Sequence, residues 1–453
     1  MSTDLPDDAD LVVIGSGQGG VPLAEAFARR GKRVVLFERG RLGGTCINTG
    51  CTPSKAFLAA AHNAGRARAA AALGVHAEVR VDGRAVFERV RAIRSAWSAG
   101  TGTRLTAAGV EVVAAQAAFA GERIVQGGGR TVRGAVVAID TGGRAAVPPI
   151  PGLAGTPYLT NETFFDLAEL PKHLLVIGGG YIGLELGQGA RRLGSDVTLL
   201  HVGKRVLERE EPDVSAALQE ALVEDGMHLM LEASIASVEF GGGTFAVALS
   251  DGRRIEGDAL LVATGRAPNT AELNLASAGI ATTPAGYLQV DDYLRTACDG
   301  VFGIGDVAGQ PAFTHVSWED HRRILSTLAG TPRRRDDRVL SYTTFTEPQA
   351  ARTGLTVDQA REQGLRARAV TLPLSSVARA VEWNVERGFF RLVVDEGTDA
   401  ILGATFVGYE AGELIHVIAA HMEAGASWRV LERSMYVHPT LAEGLPTLAR
   451  LLA

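Results

Sequence analysis

Apolar positions fall in short runs broken by glycine. Leu11-Val12-Val13-Ile14 has no polar interruption and reads as a buried strand. Gly15-Ser16-Gly17-Gln18-Gly19-Gly20 follows, and residues 21–30 then read as a helix. A second run, Val34-Val35-Leu36-Phe37, ends at Glu38. The same order returns later in the chain. Leu174-Leu175-Val176-Ile177 leads into Gly178-Gly179-Gly180-Tyr181-Ile182-Gly183, a helix through Arg192, and the run Val197-Thr198-Leu199-Leu200, which ends at His201. Alternating strands and helices of this kind predict an α/β fold with parallel sheets. The glycine turns begin 163 residues apart, too far for one strand–helix–strand unit, so two units are expected.

The spacing also predicts helices over 56–75 and 84–99 and strands over 110–118 and 132–139. Pro148-Pro149-Ile150-Pro151-Gly152 is a rigid connector. From about Leu340 the pattern changes to strands over 342–348, 388–394 and 401–408 and a helix over 414–423. The expected organisation is a discontinuous first unit, 1–150 with 270–336, a second unit, 151–269, and a C-terminal α+β unit, 337–453.

Strand, Gly-x-Gly-x-x-Gly, helix, strand and acid together form the dinucleotide-binding pattern. Gly15 allows the tight turn, Gly17 lets backbone approach a pyrophosphate, and Gly20 lets helix and strand pack closely. Glu38 is placed to bind an adenosine ribose. Gly178, Gly180 and Gly183 repeat the arrangement. Two such sites in one chain suit a flavin and a nicotinamide. In the second, His201 stands where an acid would bind a ribose 2′-hydroxyl, and Lys204 and Arg205 follow. That favours NADPH, with NADH the other possibility.

Two of the three cysteines, Cys46 and Cys51, lie five positions apart. In a regular helix such residues sit about 140° apart around the axis, too far for a good disulfide. Pairing needs a distorted turn, which Gly50 permits. Pro53 suits the first turn of a helix starting there, and exposed amides at that end would favour a thiolate. Such a pair can cycle between dithiol and disulfide. By itself it also fits half of a zinc site or two unrelated buried thiols, but no second Cys pair or close Cys/His pair follows to complete a zinc site.

A formal net charge of −6 disfavours a nucleic-acid or polyanion binder. No apolar stretch is long enough to span a membrane. The acidic start, Met1-Ser2-Thr3-Asp4-Leu5-Pro6-Asp7-Asp8, lacks the basic and apolar parts of a secretion signal. Three cysteines are too few for a secreted disulfide scaffold. A cytoplasmic enzyme is expected, and Cys298, without a nearby partner, reads as an inert thiol.

The string Gly43-Gly44-Thr45-Cys46-Ile47-Asn48-Thr49-Gly50-Cys51-Thr52-Pro53-Ser54-Lys55 resembles the redox-active segment of the flavin-dependent pyridine nucleotide-disulfide oxidoreductases, the family of dihydrolipoamide dehydrogenase, glutathione reductase and mercuric reductase. Further strings resemble the same family: Thr264-Gly265-Arg266-Ala267-Pro268, Gly303-Ile304-Gly305-Asp306, and His438-Pro439-Thr440-Leu441-Ala442-Glu443. The likeness runs from about residue 9 to 450. It implies two Rossmann-like domains plus an α+β dimerisation domain, FAD and NAD(P)H as cofactors, and a homodimer. It implies that Cys51 is the flavin-side sulfur and that Cys46 is the outer thiol that attacks substrate. His438 becomes the acid–base partner of the pair, oriented by Glu443, and Lys55 meets Glu185. Tyr181 gates the nicotinamide side, and Asp306 holds the ribityl chain. Gly44, Thr45, Thr141, Gly142 and Gly265 line the cofactor sites. The implied substrate is a small disulfide such as lipoamide, with a metal ion or another low-molecular-weight thiol disulfide as alternatives. Tyr436 departs from the second histidine of many dihydrolipoamide dehydrogenases. The cysteine pair that mercuric reductases carry near the C-terminus is missing, although Glu443-Gly444-Leu445 looks more like their ending.

Overall fold

The structure is a computed structural model and describes residues 6–453, so the Met1 to Leu5 part of the acidic start lies outside the described residues. The strand Asp7–Ile14 pairs in parallel with Val34–Glu38 on one side and Arg130–Ile139 on the other. Val12 lies beside Val35 and Val137, and all three are fully buried, as continuous apolar runs in a covered parallel sheet must be. Glu111–Ala114 extends this sheet beyond Val34–Glu38. Val301–Gly303 pairs in parallel with the end of Arg130–Ile139, so a late segment joins the sheet built by the first part of the chain.

A second parallel sheet has the order His228–Met230, Asp196–Leu200, His173–Ile177, Ala259–Val262. Beside it stands the antiparallel meander Ile235–Gly241, Thr244–Leu249, Arg254–Gly257. The C-terminal part is a five-stranded antiparallel sheet, ordered Ser341–Thr344, Gln349–Gly354, Ile401–Gly408, Phe389–Asp395, Ala367–Pro373. The helix Ala411–Glu423 buries Leu414, Ile415 and Ile418 in its core. These layers are the fold class that the sequence pattern predicts.

The two parallel sheets are tied where the chain crosses between them. Gly143–Ala145 pairs antiparallel with Arg266–Pro268. Beyond this pair, the Thr141 hydroxyl donates to the Asn269 carbonyl at 2.8 Å, and the Asn269 amide returns to the Thr141 carbonyl at 2.9 Å.

Several elements differ from the pattern-based expectation. The helix expected over 84–99 runs as Gly83–Ala108, straight through Gly100 and Gly102. A side chain at Gly102 would press on Leu42 at 3.2 Å, so this glycine marks close packing rather than a stop. The strand expected over 110–118 breaks after Ala114, and Ala118–Gly121 restarts as an antiparallel hairpin with Ile124–Gly127. The strand expected over 342–348 ends at Thr344. There the backbone leaves the sheet because side chains of the helix Tyr181–Leu193 take its amides. Glu185 accepts from Phe345 N–H at 2.9 Å, and Gln188 from Glu347 N–H at 2.8 Å.

The helix Cys51–Ala69 is seated by an aromatic cluster. Phe57 meets Phe164 edge-on at 5.3 Å and Phe87 at 5.7 Å, all fully buried. On its other side Phe57 lies against Gly189, where any Cβ would come within 2.5 Å of the ring.

Candidate active site

Cys46 sits in the short helix Gly44–Asn48, which stops at Thr49. Gly50 then turns the chain with φ −132° and ψ −118°, and a Cβ there would fall 2.9 Å from the Thr45 carbonyl oxygen. That close approach leaves no room for a side chain at the turn. Cys51 is therefore the first residue of the next helix, Cys51–Ala69, and it lines the same cavity as Cys46. Both thiols are unbridged in this structure.

Cys51 Sγ also lies 3.0 Å from the hydroxyl of Thr314, the first residue of the helix Thr314–Leu328. The Cys51 thiol is held down to about 6, first by the hydrogen bond from the Cys46 thiol, then by the Thr314 hydroxyl and the Lys55 ammonium, against the opposing effect of burial. The same contact with Cys51, together with burial, pushes the Cys46 thiol up. One negative charge is thus shared by the pair and rests on Cys51. Lys55 Nζ reaches Glu185 at 2.7 Å and lies 4.4 Å above the Phe345 ring. The Glu185 side chain is only 4% exposed, and Lys55 and the Phe345 N–H take one carboxylate oxygen each.

A cavity of about 1620 Å³ joins the Gly15-Ser16-Gly17 turn, Glu38, both cysteines, Tyr181 and Phe313. It exceeds the roughly 300–1,000 Å³ of ordinary small-molecule sites. Tyr181 starts the helix Tyr181–Leu193, and burial pushes its phenol up to about 12. Thr141 and Gly142 also line the cavity, as do Gly44 and Thr45.

The residues present fit a flavin dinucleotide. Gly15 has φ 97°, and a Cβ there would strike the Asp140 carbonyl oxygen at 2.3 Å. Glu38 is fixed at its strand end by Ser16 N–H at 2.9 Å, the Ser16 hydroxyl at 2.6 Å and Gly40 N–H at 2.7 Å. Asp306 pairs with Arg266 Nε at 3.1 Å, and Arg266 also donates to the Gly143 carbonyl at 2.7 Å. One detail differs from expectation: the space a Cβ would take at Gly17 is filled by the Asp140 carboxyl, 2.6 Å away. Gly20 is needed for close packing, its Cβ position lying 2.9 Å from the Gly15 carbonyl oxygen.

The second glycine turn has a matching shape. Gly178 has φ 119° with the Ala263 carbonyl oxygen 2.3 Å from its Cβ position, and a Cβ on Gly183 would strike Gly178 O at 2.2 Å. Gly180 faces open space. Gly265, with φ 149°, has only the Ala146 side chain near its Cβ position, at 3.9 Å. His201 accepts Gly179 N–H on Nδ1 at 3.2 Å, and its Nε2 lies 3.9 Å from Glu208. Glu208 also accepts Lys204 N–H at 3.2 Å. The Arg205 guanidinium turns back to the Glu208 carbonyl at 2.9 Å, which leaves the exposed Lys204 as the cation open to a ligand from the expected pair.

His438 Nδ1 bonds Glu443 at 2.6 Å, but the His438 side chain is 74% exposed, and neither residue lines the cavity. Within one chain they do not meet the cysteines. Cys298 is buried, and burial raises its thiol.

Sequence reasoning missed Asp140, Thr314 and Glu208 and gave Arg266 no role. Asp140 carried a readable signal, an acid directly after an apolar strand, as Glu38 is. Thr314 had none, since packing alone brings it to Cys51.

Among the described residues no helix is long and apolar enough to cross a membrane. The chain matches the family "Pyridine nucleotide-disulphide oxidoreductase" over residues 9–320 and that family's dimerisation domain over 340–449. It is 34% identical to a mercuric reductase of Staphylococcus aureus over 444 residues, covering 97% of this chain and 81% of that protein. It is 33% identical to RclA of Escherichia coli, a probable pyridine nucleotide-disulfide oxidoreductase, covering 97% of this chain and 98% of the other. The solved structure of the HOCl-induced flavoprotein disulfide reductase RclA superposes with a TM-score of 0.90 at 32% identity, over 98% of this chain and all of the other. The chain belongs to the pyridine nucleotide-disulphide oxidoreductase family and is a flavin-dependent oxidoreductase acting on sulfur groups.

Proposed function

We propose that the protein reduces a small disulfide at the expense of NADPH, with Cys46 and Cys51 as its redox pair, and works as a homodimer. The observation that carries this reading is that Cys46 and Cys51 flank the Gly50 turn at a helix start and line one cavity with Lys55, with the Thr314 hydroxyl 3.0 Å from the Cys51 sulfur. We also propose that residues 1–150 with 270–336 hold FAD, 151–269 hold the pyridine nucleotide, and 337–453 form the dimer interface.

FAD, held by the Gly15–Gly20 turn, Glu38, Gly44, Thr45, Thr141, Gly142 and Asp306, would supply the two-electron link between pyridine nucleotide and cysteine pair. The remaining steps belong to side chains. His438 takes the Cys46 proton, and the Cys46 sulfur attacks one sulfur of the substrate disulfide. That S–S bond breaks, a Cys46–substrate mixed disulfide forms, and the first thiolate leaves with the proton from His438. The Cys51 thiolate then attacks Cys46, forming the Cys46–Cys51 disulfide and releasing the second thiolate. Glu443 keeps the His438 ring aligned, and Glu185 keeps Lys55 beside Cys51. Tyr181 closes the nicotinamide side.

The test is an NADPH-oxidation screen across small disulfides, quinones and metal ions, run on wild type and Cys46→Ser. Disulfide-dependent oxidation that disappears in the variant is expected. Turnover with quinones alone, equal in both proteins, would reject the reading. A second reading, metal-ion reduction, is favoured by the mercuric reductases among the relatives. Hg(II)- or Cu(II)-dependent oxidation exceeding every disulfide rate would establish it.

Coenzyme choice rests on Lys204. Removing its ion pair with a 2′-phosphate should cost on the order of 1–3 kcal/mol, about ten- to a hundredfold in kcat/KM. Lys204→Ala is expected to lose that factor with NADPH and stay within about twofold with NADH. Glu208→Gln, which removes a carboxylate beside His201, should shift preference further toward NADPH. Equal wild-type kcat/KM for the two coenzymes would refute the assignment.

A further inference from the structure

Asp140 is a buried carboxyl that none of these steps uses. It directly follows the strand Arg130–Ile139, and the residue is 5% exposed. Its Oδ2 accepts the N–H of Gly20 at 2.5 Å, at the start of the nine-residue helix Gly20–Ala28. The same oxygen lies 2.6 Å from the Cβ position of Gly17, so the carboxyl is wedged behind the glycine turn while also lining the cavity. From the helix Thr314–Leu328 the Ser317 hydroxyl stands 3.5 Å from Oδ1. Two other acids face Asp140, and each has its own arginine. Asp306 pairs with Arg266 at 3.1 Å and Asp320 with Arg338 at 2.7 Å, whereas no ion pair involves Asp140 among the described residues.

Burial pushes the Asp140 carboxyl well above the ordinary carboxylate range, and the charges of Asp306 and Asp320 add to this, against the amides of Gly20 and Gly19. A helix N-terminus beside a glycine turn is also where a pyrophosphate binds. An ionised Asp140 would draw on the same helix end and repel the phosphates. A protonated one repels nothing, and its carbonyl oxygen still accepts from Gly20.

We propose that Asp140 is a cofactor-positioning residue that serves the FAD site as a neutral acid, so that ionisation of Asp140 loosens FAD and, at pH values where the free protein carries Asp140 ionised, FAD binding takes up a proton. The proposal rests on the reading that the first glycine turn holds FAD.

The test uses the full-length apoprotein and FAD alone, with the dissociation constant read from flavin fluorescence between about pH 5.5 and 9. In wild type the constant should rise with pH, by up to about tenfold per pH unit where one proton is linked. In Asp140→Asn, which keeps an acceptor for Gly20, it should stay flat and low across the range. Equal slopes in the two proteins would overturn the proposal. Calorimetry of wild type in two buffers of different ionisation enthalpy provides a second reading that needs no variant. Uptake approaching one proton per FAD is expected on the rising part of the curve, and no uptake at any pH overturns the proposal by itself. FAD binding without a linked proton defeats the role of Asp140 alone. An apoprotein that binds no FAD at any pH defeats the flavin reading and this proposal together.

Discussion

Refolding Cys46→Ala and His438→Ala chains together is expected to restore about a quarter of wild-type disulfide turnover, although each variant alone is nearly inactive. His438 is exposed, bonded to Glu443 and absent from the wall of the cysteine cavity of its own chain. The matched dimerisation domain spans 340–449, which includes His438 and Glu443. On the proposed reading, the partner subunit supplies the imidazole to each cysteine pair. Random pairing makes about half of the dimers mixed, and each mixed dimer has one site with both defects and one with neither. With independent sites, about one site in four is intact. Loss of an acid–base group costs on the order of 10²–10⁴-fold, so the recovered signal stands far above either parent. If tag pull-down confirms mixed dimers and activity remains the average of the parents, His438 does not serve across the interface.

Cys51→Ser is expected to lose disulfide turnover by at least about 10³-fold, because no thiolate remains to resolve the Cys46–substrate mixed disulfide. In reduced wild type, the Cys51 thiolate should be populated above about pH 6 and protonated below it. The sign follows from a thiol whose pKa is depressed: the anion is lost only as pH falls through that lowered value. Thr314→Val removes a hydroxyl 3.0 Å from the sulfur. A lost hydrogen bond to a charged group, worth about 1.5–3 kcal/mol, should raise the midpoint by about one to two pH units. Thiolate absorbance against pH reads both outcomes, and an unchanged midpoint in Thr314→Val would remove that threonine from the account.

The strand–turn–helix units were legible in the sequence because covered parallel strands must be apolar without a break and the glycines mark where chain segments touch. Val12, Val35 and Val137 share one buried row for that reason. The cysteine turn was legible because five-residue spacing is incompatible with one helix and Gly50 supplies the break. Long-range events were not. Thr314 meets Cys51 across 263 positions. Arg205 looked like a free cation in the sequence, yet it bonds its own loop's carbonyl. The helix expected over 84–99 runs on to Ala108 through Gly102, because packing of that glycine against Leu42 leaves no mark in local composition. The string around His438 was legible, but nothing in it shows that the residue stands away from the cysteine cavity of its own chain.

Anaerobic reductive titration of the FAD-loaded protein tests most directly whether the cysteine pair is a redox centre in communication with the flavin site. The account predicts uptake of about four electrons per subunit, two by the Cys46–Cys51 disulfide and two by the flavin. A long-wavelength band, from the Cys51 thiolate donating charge to oxidised flavin, should peak near two electrons, with two new thiols titratable at that point, and should be absent in Cys51→Ser. Complete bleaching of the flavin by two electrons with no thiol released, or a band that persists unchanged in Cys51→Ser, would contradict it.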